Sequence, residues 1–143
     1  MSKGNTFEND LMKLIFNGTA IANIADNAAT SPLGNLYLAL HTADPGEAGL
    51  QTASEATYTS YARVAVVRSS LGWTVTNNQA ENAALAQFPE STGGSNAITH
   101  VSVGTAPSGG GKVLYKGALT ATLNVSSGIQ PQFAAGTLVL TED

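Results

Sequence analysis

The chain has 143 residues and no cysteine, and only 11% of its residues are charged, with a formal net charge of −4. A disulfide framework and a thiolate metal site are therefore excluded, and six scattered Lys and Arg residues argue against phosphate-directed nucleic-acid binding. No apolar run approaches the roughly 18 residues of a membrane span, and the start lacks a signal-peptide pattern, so we expect synthesis in the cytoplasm. Uncharged side chains cost little to desolvate, so the composition predicts a surface that lies against other protein; a weakly charged monomer is the alternative.

The N-terminal segment predicts one helix. Apolar side chains spaced for one helix face occur at Phe7, Leu11, Leu14 and Ile15. Thr6 or Asn5 is the expected cap, and Gly18 the expected stop. A second short helical or irregular stretch is expected over 21–25. Residues 1–34 are too few to bury the apolar face alone, so we expect either a helix packed on the following domain or an arm whose apolar face contacts a neighbouring subunit, and we favour the second.

The chain after Gly34 changes to short apolar or alternating runs separated by turn residues. These runs predict roughly eight strands, over 36–42, 61–68, 72–75, 82–88, 98–104, 112–122, 129–133 and 137–141. Two long connections, 44–60 and 89–96, favour an eight-stranded jelly roll or another Greek-key sandwich over an up-and-down barrel. We therefore expect an all-β fold, with a single β-sandwich domain over residues 35–143.

Candidate catalytic and metal-binding residues are few. His41 lies three residues before Asp44, and His100 lies in another predicted strand. A metal site needs three or more ligands, so we interpret His41 as a hydrogen-bonded residue at the end of a strand. The acidic residues are dispersed, and the Gly-x-Ser-x-Gly pattern is absent. The sequence predicts no enzymatic activity, no metal and no cofactor.

The run from Gly109 to Lys112 partly matches a phosphate-binding loop. Ala106 stands where that motif needs glycine, and Val113 stands where it needs Ser or Thr. The residues that follow are typical of a strand and not of the required helix. We therefore interpret this run as a flexible turn.

Trp73 is the single tryptophan of the chain. Its short predicted strand favours a place in the core, with an interface anchor as the second interpretation, because tryptophan is enriched in both settings. The candidate subunit interface consists of Phe7, Leu11, Leu14, Ile15 and Trp73.

Four segments carry a resemblance to a known protein family. The run from Leu36 to Gly49, followed by residues 61–66, resembles small virion proteins of tailed bacteriophages. Residues 11–19 and 133–140 are also similar, so the resemblance spans nearly the whole chain. Members of that family are often labelled tail-fibre proteins. Proteins of this character also resemble the jelly-roll cement, or decoration, proteins of phage heads, and the resemblance is closest to the cement protein of a Bordetella podophage.

The resemblance implies a structural role without catalytic residues. The implied function is that of a capsid cement protein on the outer surface of the head, which clamps neighbouring major capsid subunits and contacts copies of itself as a dimer or trimer. Neither nucleic acid nor membrane is an expected partner. The alternative is a tail or tail-fibre component of the virion. A carbohydrate-binding sandwich is a third hypothesis, but it requires exposed aromatic residues, and only 6% of the chain is aromatic.

Overall fold

The computed structural model describes residues 5–21, 33–47 and 49–142. In these ranges the chain forms one helix and nine strands. The elements are α1 (Asn5–Asn17), β1 (Asn35–His41), β2 (Val64–Val67), β3 (Trp73–Thr76), β4 (Gln79–Asn82), β5 (Ala86–Gln87), β6 (Asn96–Gly104), β7 (Val113–Val125), β8 (Gln132–Phe133) and β9 (Val139–Thr141).

The strands form three antiparallel sheets, with the orders β2-β1-β6-β7, β3-β4-β9 and β5-β8. The predicted fold class is confirmed, since the chain is mostly β with one short N-terminal helix, which is consistent with an all-β sandwich. No helix in the described ranges is long and apolar enough to cross a membrane.

Helix α1 begins and ends close to the predicted limits. It ends at Asn17, and Gly18 follows with φ of 66°, the left-handed conformation that glycine adopts without steric cost. Of the second predicted stretch, over 21–25, only Ile21 belongs to the described residues.

Strand β1 lies between β2 and β6 in its sheet. Its central side chains are buried on both faces, as its continuous apolar run predicts. The register places Leu38 opposite Val103 and His41 opposite His100. Strand β7 ends the order of this sheet, and its pairing with β6 is interrupted by a bulge between Ile98 and His100.

The chain divides into two compact units. Unit 1 contains the described residues of Met1–Asn35, Val66–Ala86 and Phe133–Asp143, and unit 2 contains those of Leu36–Ala65 and Gln87–Gln132. The division of the chain at residue 34 that the sequence suggested stays a prediction.

Helix α1 packs on β3 and β4 within unit 1. The side chains of Met12, Phe16 and Trp73 are fully buried, and the rings of Phe16 and Trp73 lie 4.7 Å apart. The last turn of the helix is held by Arg68, which donates to the carbonyl oxygens of Leu14 and Ile15, both at 2.6 Å. A cation at this position also interacts favourably with the negative end of the helix dipole.

The predicted strand over 82–88 is wrong in its limits, because β4 ends at Asn82 and β5 begins at Ala86. The buried Asn82 side chain donates to the carbonyl oxygens of Ala84 and Ala134, both at 2.8 Å, and accepts from the Leu138 amide at 2.9 Å. These hydrogen bonds replace strand pairing at this point and turn the chain.

Unit 2 has its own core beneath the four-stranded sheet. Leu38, Leu40, Ile98 and Phe88 are fully buried, and Tyr61 stacks on Phe88 with ring centroids 6.3 Å apart. Burial raises the pKa of Tyr58 to about 12, and it raises the pKa of Tyr61 further. Both hydroxyl groups therefore stay protonated and act as hydrogen-bond donors inside the unit.

Candidate functional site

His41 is a fully buried, hydrogen-bonded residue at the end of β1. Its Nδ1 lies 2.8 Å from the Ala53 carbonyl oxygen, and its Nε2 lies 2.8 Å from Ser102 Oγ. Because a carbonyl only accepts, Nδ1 carries the proton and Nε2 accepts from the hydroxyl. Burial lowers the pKa of His41 below its ordinary value. Both ring nitrogens are thus occupied, as the interpretation of His41 requires.

Asp44 does not join the two histidines in a metal site. Its carboxylate binds Lys116 Nζ at 2.7 Å, and the same ammonium contacts Glu47 at 2.9 Å. The Lys116 hydrogen bond lowers the pKa of Asp44. Across the ranges that the structure describes, no group of three or more His, Asp or Glu side chains could hold a metal ion.

A polar cavity of about 280 Å³ lies at the turn between β3 and β4. Its lining consists of hydroxyl, amide and carboxylate side chains: Thr74, Thr76, Asn77, Asn78, Gln79 and Glu81. Glu81 is the single carboxylate of this lining. The common glycosidase site needs two carboxylates that face each other, and this lining supplies one.

An almost fully buried polar group of unit 2 is the guanidinium of Arg63, whose side chain is only 2% exposed. Arg63 binds Glu55 through two parallel hydrogen bonds, from Nε to Oε1 at 2.6 Å and from Nη2 to Oε2 at 2.8 Å. It also donates to the carbonyl oxygens of Ala106 at 2.9 Å and Gly109 at 2.7 Å. The hydrogen bonds to Glu55 raise the pKa of Arg63. We call Arg63 and Glu55 the clamp.

Gln51 extends the clamp toward the sheet. This fully buried side chain donates to the Tyr37 carbonyl oxygen at 3.0 Å and accepts from the Ala106 amide at 3.2 Å. A Cβ atom added to Gly104 or to Gly111 would collide with the Gln51 amide group. Glycine is required at both positions because Gln51 occupies the space of a side chain.

The connection between β6 and β7 is thus tied down at several points. Two backbone hydrogen bonds close its base. The backbone N–H of Gln51 donates to the Gly111 carbonyl oxygen at 2.8 Å, and the backbone N–H of Thr105 donates to the Lys112 carbonyl oxygen at 3.1 Å. The description of Gly109–Lys112 as a flexible turn is therefore wrong. The physical reason is the buried Arg63 cation, which binds the Gly109 carbonyl oxygen inside this run and the Ala106 carbonyl oxygen before it.

The side chains that α1 buries completely are not those of its predicted apolar face. The buried side chains are Met12 and Phe16, whereas Phe7 is 41% exposed and Leu11, Leu14 and Ile15 are partly exposed. Residues 12 and 16 lie on the opposite side of a 3.6-residue helix from residues 7, 11 and 14. Phe7 is therefore the most exposed side chain of the predicted face, whereas Trp73 has no exposed surface. Their role at a subunit interface stays a prediction.

A comparison with protein families identifies the chain as a virion component. The model of the family described as podophage GP4 fiber I protein gp80 matches residues 2–141. The chain belongs to this family. It is a member of a family of phage virion structural proteins, as the resemblance implied. No curated protein matches the chain.

The clamp of this family member was missed in the sequence. Gln51 and Glu55 lie in a Thr-rich and Ser-rich connection that resembles a solvent-exposed loop, and Arg63 lies in the predicted strand over 61–68. The sequence held one signal, since the aromatic Tyr61 lies between Glu55 and Arg63, two residues of opposite charge. In the structure the Tyr61 hydroxyl accepts from the Leu40 amide and donates to Glu55. An aromatic residue inside a polar connection indicates that the connection is packed and not free.

Proposed function

We propose that the chain is a structural subunit of a phage fibre, which acts by protein contact and carries no enzymatic activity. The observation that carries the proposal is the family match over residues 2–141, whose description names a fibre protein. The low charge supports it, because a surface with few charged side chains loses little solvation free energy when subunits meet.

Two surfaces of the chain support assembly with other protein. One is the outward side of α1, where Phe7 and Leu11 keep apolar surface exposed. The other is the connection between β6 and β7 that the clamp holds. We propose copies of the same chain as the partners of the helix face, in a dimer or trimer on the particle, because cyclic assemblies repeat one contact at low cost.

The second candidate function is a capsid cement protein that lies on the outer surface of the head and clamps major capsid subunits. The specific observation in its favour is the same low content of charged residues, which suits a protein that lies against a shell of other protein. A cement protein binds the assembled shell and not its unfolded subunits, so it would raise the temperature at which the shell opens.

Copy number in purified virions separates the two functions. A fibre subunit is expected in a few to a few dozen copies, and immunogold labelling should mark one end of the particle. A cement protein is expected in hundreds of copies over the head. Hundreds of copies, together with particles that open at a lower temperature when the chain is deleted, would replace the fibre proposal by the cement function. Absence of the chain from purified virions would overturn both.

A further inference from the structure

One carboxylate of unit 1 has no partner among the residues that the structure describes. Glu81 lies in β4, is only partly exposed, and makes no hydrogen bond or ion pair with a described residue. By contrast, Glu55 binds Arg63, and Asp44 binds Lys116. Glu81 forms part of the wall of the polar cavity at the turn between β3 and β4, and that lining contains no basic residue. The cavity therefore carries one uncompensated negative charge.

The pleat of the sheet directs the polar side chains of the cavity to one face. In the register of β3 and β4, Thr74 lies opposite Glu81, and Thr76 lies opposite Gln79. Residues two apart in a strand point the same way, so these four side chains share a face. The alternate residues, which include the buried Trp73, point to the opposite face, where α1 packs. The cavity thus opens on the side of the sheet that faces away from the helix.

Hydrogen bonds hold the turn that forms one end of the cavity. Asn77 has a φ of 54°, a left-handed conformation that asparagine tolerates, and its carbonyl oxygen accepts from Asn9 Nδ2 in α1 at 2.7 Å. Asn78 Nδ2 donates to the Glu142 carbonyl oxygen at 2.9 Å, and the Glu142 amide donates back to the Asn78 carbonyl oxygen at 2.9 Å. The turn is therefore tied to the helix and to the end of β9, and a ligand would find the cavity already formed.

The chemistry of the lining favours a primary ammonium group as the ligand. An ammonium carries one positive charge, with three donors and no acceptor. The Glu81 carboxylate supplies the matching charge, and the side-chain oxygens of Asn77 and Gln79 supply further acceptors. An anion is disfavoured because the lining contains no cation. A metal ion is disfavoured because the described residues contain no group of three His, Asp or Glu side chains that could hold one.

The chain itself carries an exposed ammonium without a partner. Lys112 is exposed, and its Nζ makes no contact of this kind with a described residue, whereas Lys116 Nζ contacts Asp44 and Glu47. The backbone of Lys112 is held in place, because its amide donates to Thr105 Oγ1 at 3.0 Å and its carbonyl oxygen accepts from the Thr105 amide at 3.1 Å. A side chain that projects from a fixed backbone loses less entropy on binding than one on a mobile loop.

We propose that Lys112 of one copy inserts its ammonium into the polar cavity of a second copy and binds Glu81 there. A second copy is the favoured partner because this chain supplies both complementary groups, Lys112 in unit 2 and Glu81 in unit 1. The contact joins two different surfaces, so identical chains can repeat it from one copy to the next around a ring. The proposal rests on the proposed function, in which copies of the chain are partners on the particle, and it names a second contact between them.

The ion pair sets the orientation of the copies more than their affinity. A partly solvated ion pair contributes little binding free energy, whereas complementary charges select the partner and its register. Charges elsewhere on the two copies oppose the contact only weakly, because physiological salt screens charges that lie more than about 8 Å apart. The contact between Lys112 and Glu81 therefore forms where the particle already brings the copies together.

Charge reversal on recombinant phage tests the contact. Glu81→Lys and Lys112→Glu each place like charges face to face, so we expect at least a tenfold loss of copies per purified virion, counted by mass spectrometry. The double variant exchanges the two charges and should restore the copy number. Glu90→Lys, which changes an exposed carboxylate of unit 2, is the matched control and should cause no loss. Thermal melting checks that each variant is folded.

Crosslinking with a carbodiimide identifies the partner and does not depend on charge reversal. The reagent joins a carboxylate to an ammonium in contact with it, through an amide bond. Two chains are expressed together, one with Lys112→Gln and the other with Glu81→Gln, so that a crosslink between positions 81 and 112 can form only between two chains. In assembled virions we expect this crosslink from the mixture and not from either variant alone.

Several outcomes overturn the proposal. These are full incorporation of both charge-reversed variants, no recovery in the double variant, an equal loss in Glu90→Lys, no crosslink in the mixture, and a crosslink from Glu81 to a different virion protein. Normal incorporation of Glu81→Lys with reduced adsorption to host cells would assign the cavity to a host ligand and also overturn it. Absence of the unmodified chain from virions is a separate result, since it overturns the proposed function itself.

Discussion

The Arg63 guanidinium meets the Glu55 carboxylate side-on, with Nε 2.6 Å from Oε1 and Nη2 2.8 Å from Oε2. Glu55 lies in the long connection that follows β1, and the remaining Arg63 hydrogens bind carbonyl oxygens of the connection between β6 and β7. A single cation therefore holds two loops that are distant in sequence. A lysine could not do so, because its ammonium has no planar fork of donors.

Arg63→Met should destabilise the chain strongly. The substitution leaves the Glu55 carboxylate, 17% exposed, without its cation, and it leaves two loop carbonyl oxygens without their donor. Breaking a buried pair in this way costs about 3–5 kcal/mol of the free energy of unfolding, measurable by urea denaturation. Lys116→Met is the matched control, because Lys116 pairs with exposed carboxylates and its loss should change little. Equal effects of the two variants would show that the clamp does not stabilise unit 2.

The two phenylalanines of α1 provide a second test, because one is buried and the other is exposed. Phe16→Ala removes the ring that packs on Trp73 and should cost about 3–5 kcal/mol. Phe7→Ala should cost less than about 1 kcal/mol, since its ring is 41% exposed. Trp73 is the only tryptophan, so its fluorescence reports unfolding of unit 1 directly. A larger effect of Phe7→Ala would mean that the helix packs through its predicted face.

That contrast shows what the sequence could and could not predict. The period of the apolar residues located the helix and its limits, because helix formation depends on local spacing. It did not select the packed side, because Met12 and Phe16, on another side of the helix, are as apolar as Phe7 and Leu11. The selection was made by Trp73, which lies far away in the sequence.

The same distinction applies to the sheets and to the clamp. The buried strand β1 could be predicted from its continuous apolar run, since no polar residue interrupts residues 36–40. The clamp could not, because Glu55 and Arg63 are recognised as a pair only when the chain topology brings the loop after β6 beside them. The local composition of Gly109–Lys112 indicates a flexible glycine loop, whereas the tertiary contacts with Arg63 hold it in place.

Gly104→Ala should destabilise the chain through Gln51. The three heavy atoms nearest to the added Cβ all belong to the Gln51 amide group, which is buried and bound to Tyr37. We expect a cost of about 1–3 kcal/mol, as for other overpacked cores. In a Gln51→Ala background the added cost should fall to nearly zero, which a double-mutant cycle measures as a coupling of similar size.

Gly117→Ala is the control for this cycle. Gly117 lies in β7 with nothing within 4 Å of an added Cβ and without a left-handed φ. Its substitution should leave stability unchanged or slightly raised, because alanine restricts the unfolded chain. Additive costs of Gly104→Ala and Gln51→Ala would contradict the steric account.

His41 should make the chain less stable as the pH falls from neutral. Burial lowers the pKa of His41 in the folded state, although the Ala53 carbonyl and Glu55 oppose this effect. As the pH falls, His41 therefore takes up its proton at a higher pH in the unfolded chain than in the folded one. Its contribution to the free energy of unfolding is fully present above a pH of about 6.5 and declines as the pH falls toward the pKa of the folded state. His41→Gln should show a smaller difference between pH 7.5 and pH 5.5 in urea denaturation. An unchanged difference would exclude His41 as its source.

The isolated chain should be a monomer, or in a weak equilibrium with an oligomer. Affinity depends on large side chains that become fully buried at the centre of an interface. The largest of them, Trp73 and Phe16, are already buried inside unit 1, so the helix face offers mainly Phe7, Leu11 and Leu14. Three such side chains bury far less than the roughly 1,200 Å² of a stable interface. Analytical ultracentrifugation at micromolar concentration should give a mass near 14.5 kDa. An oligomer that persists on dilution, and that Phe7→Ser dissociates, would show that the helix face binds tightly without the particle.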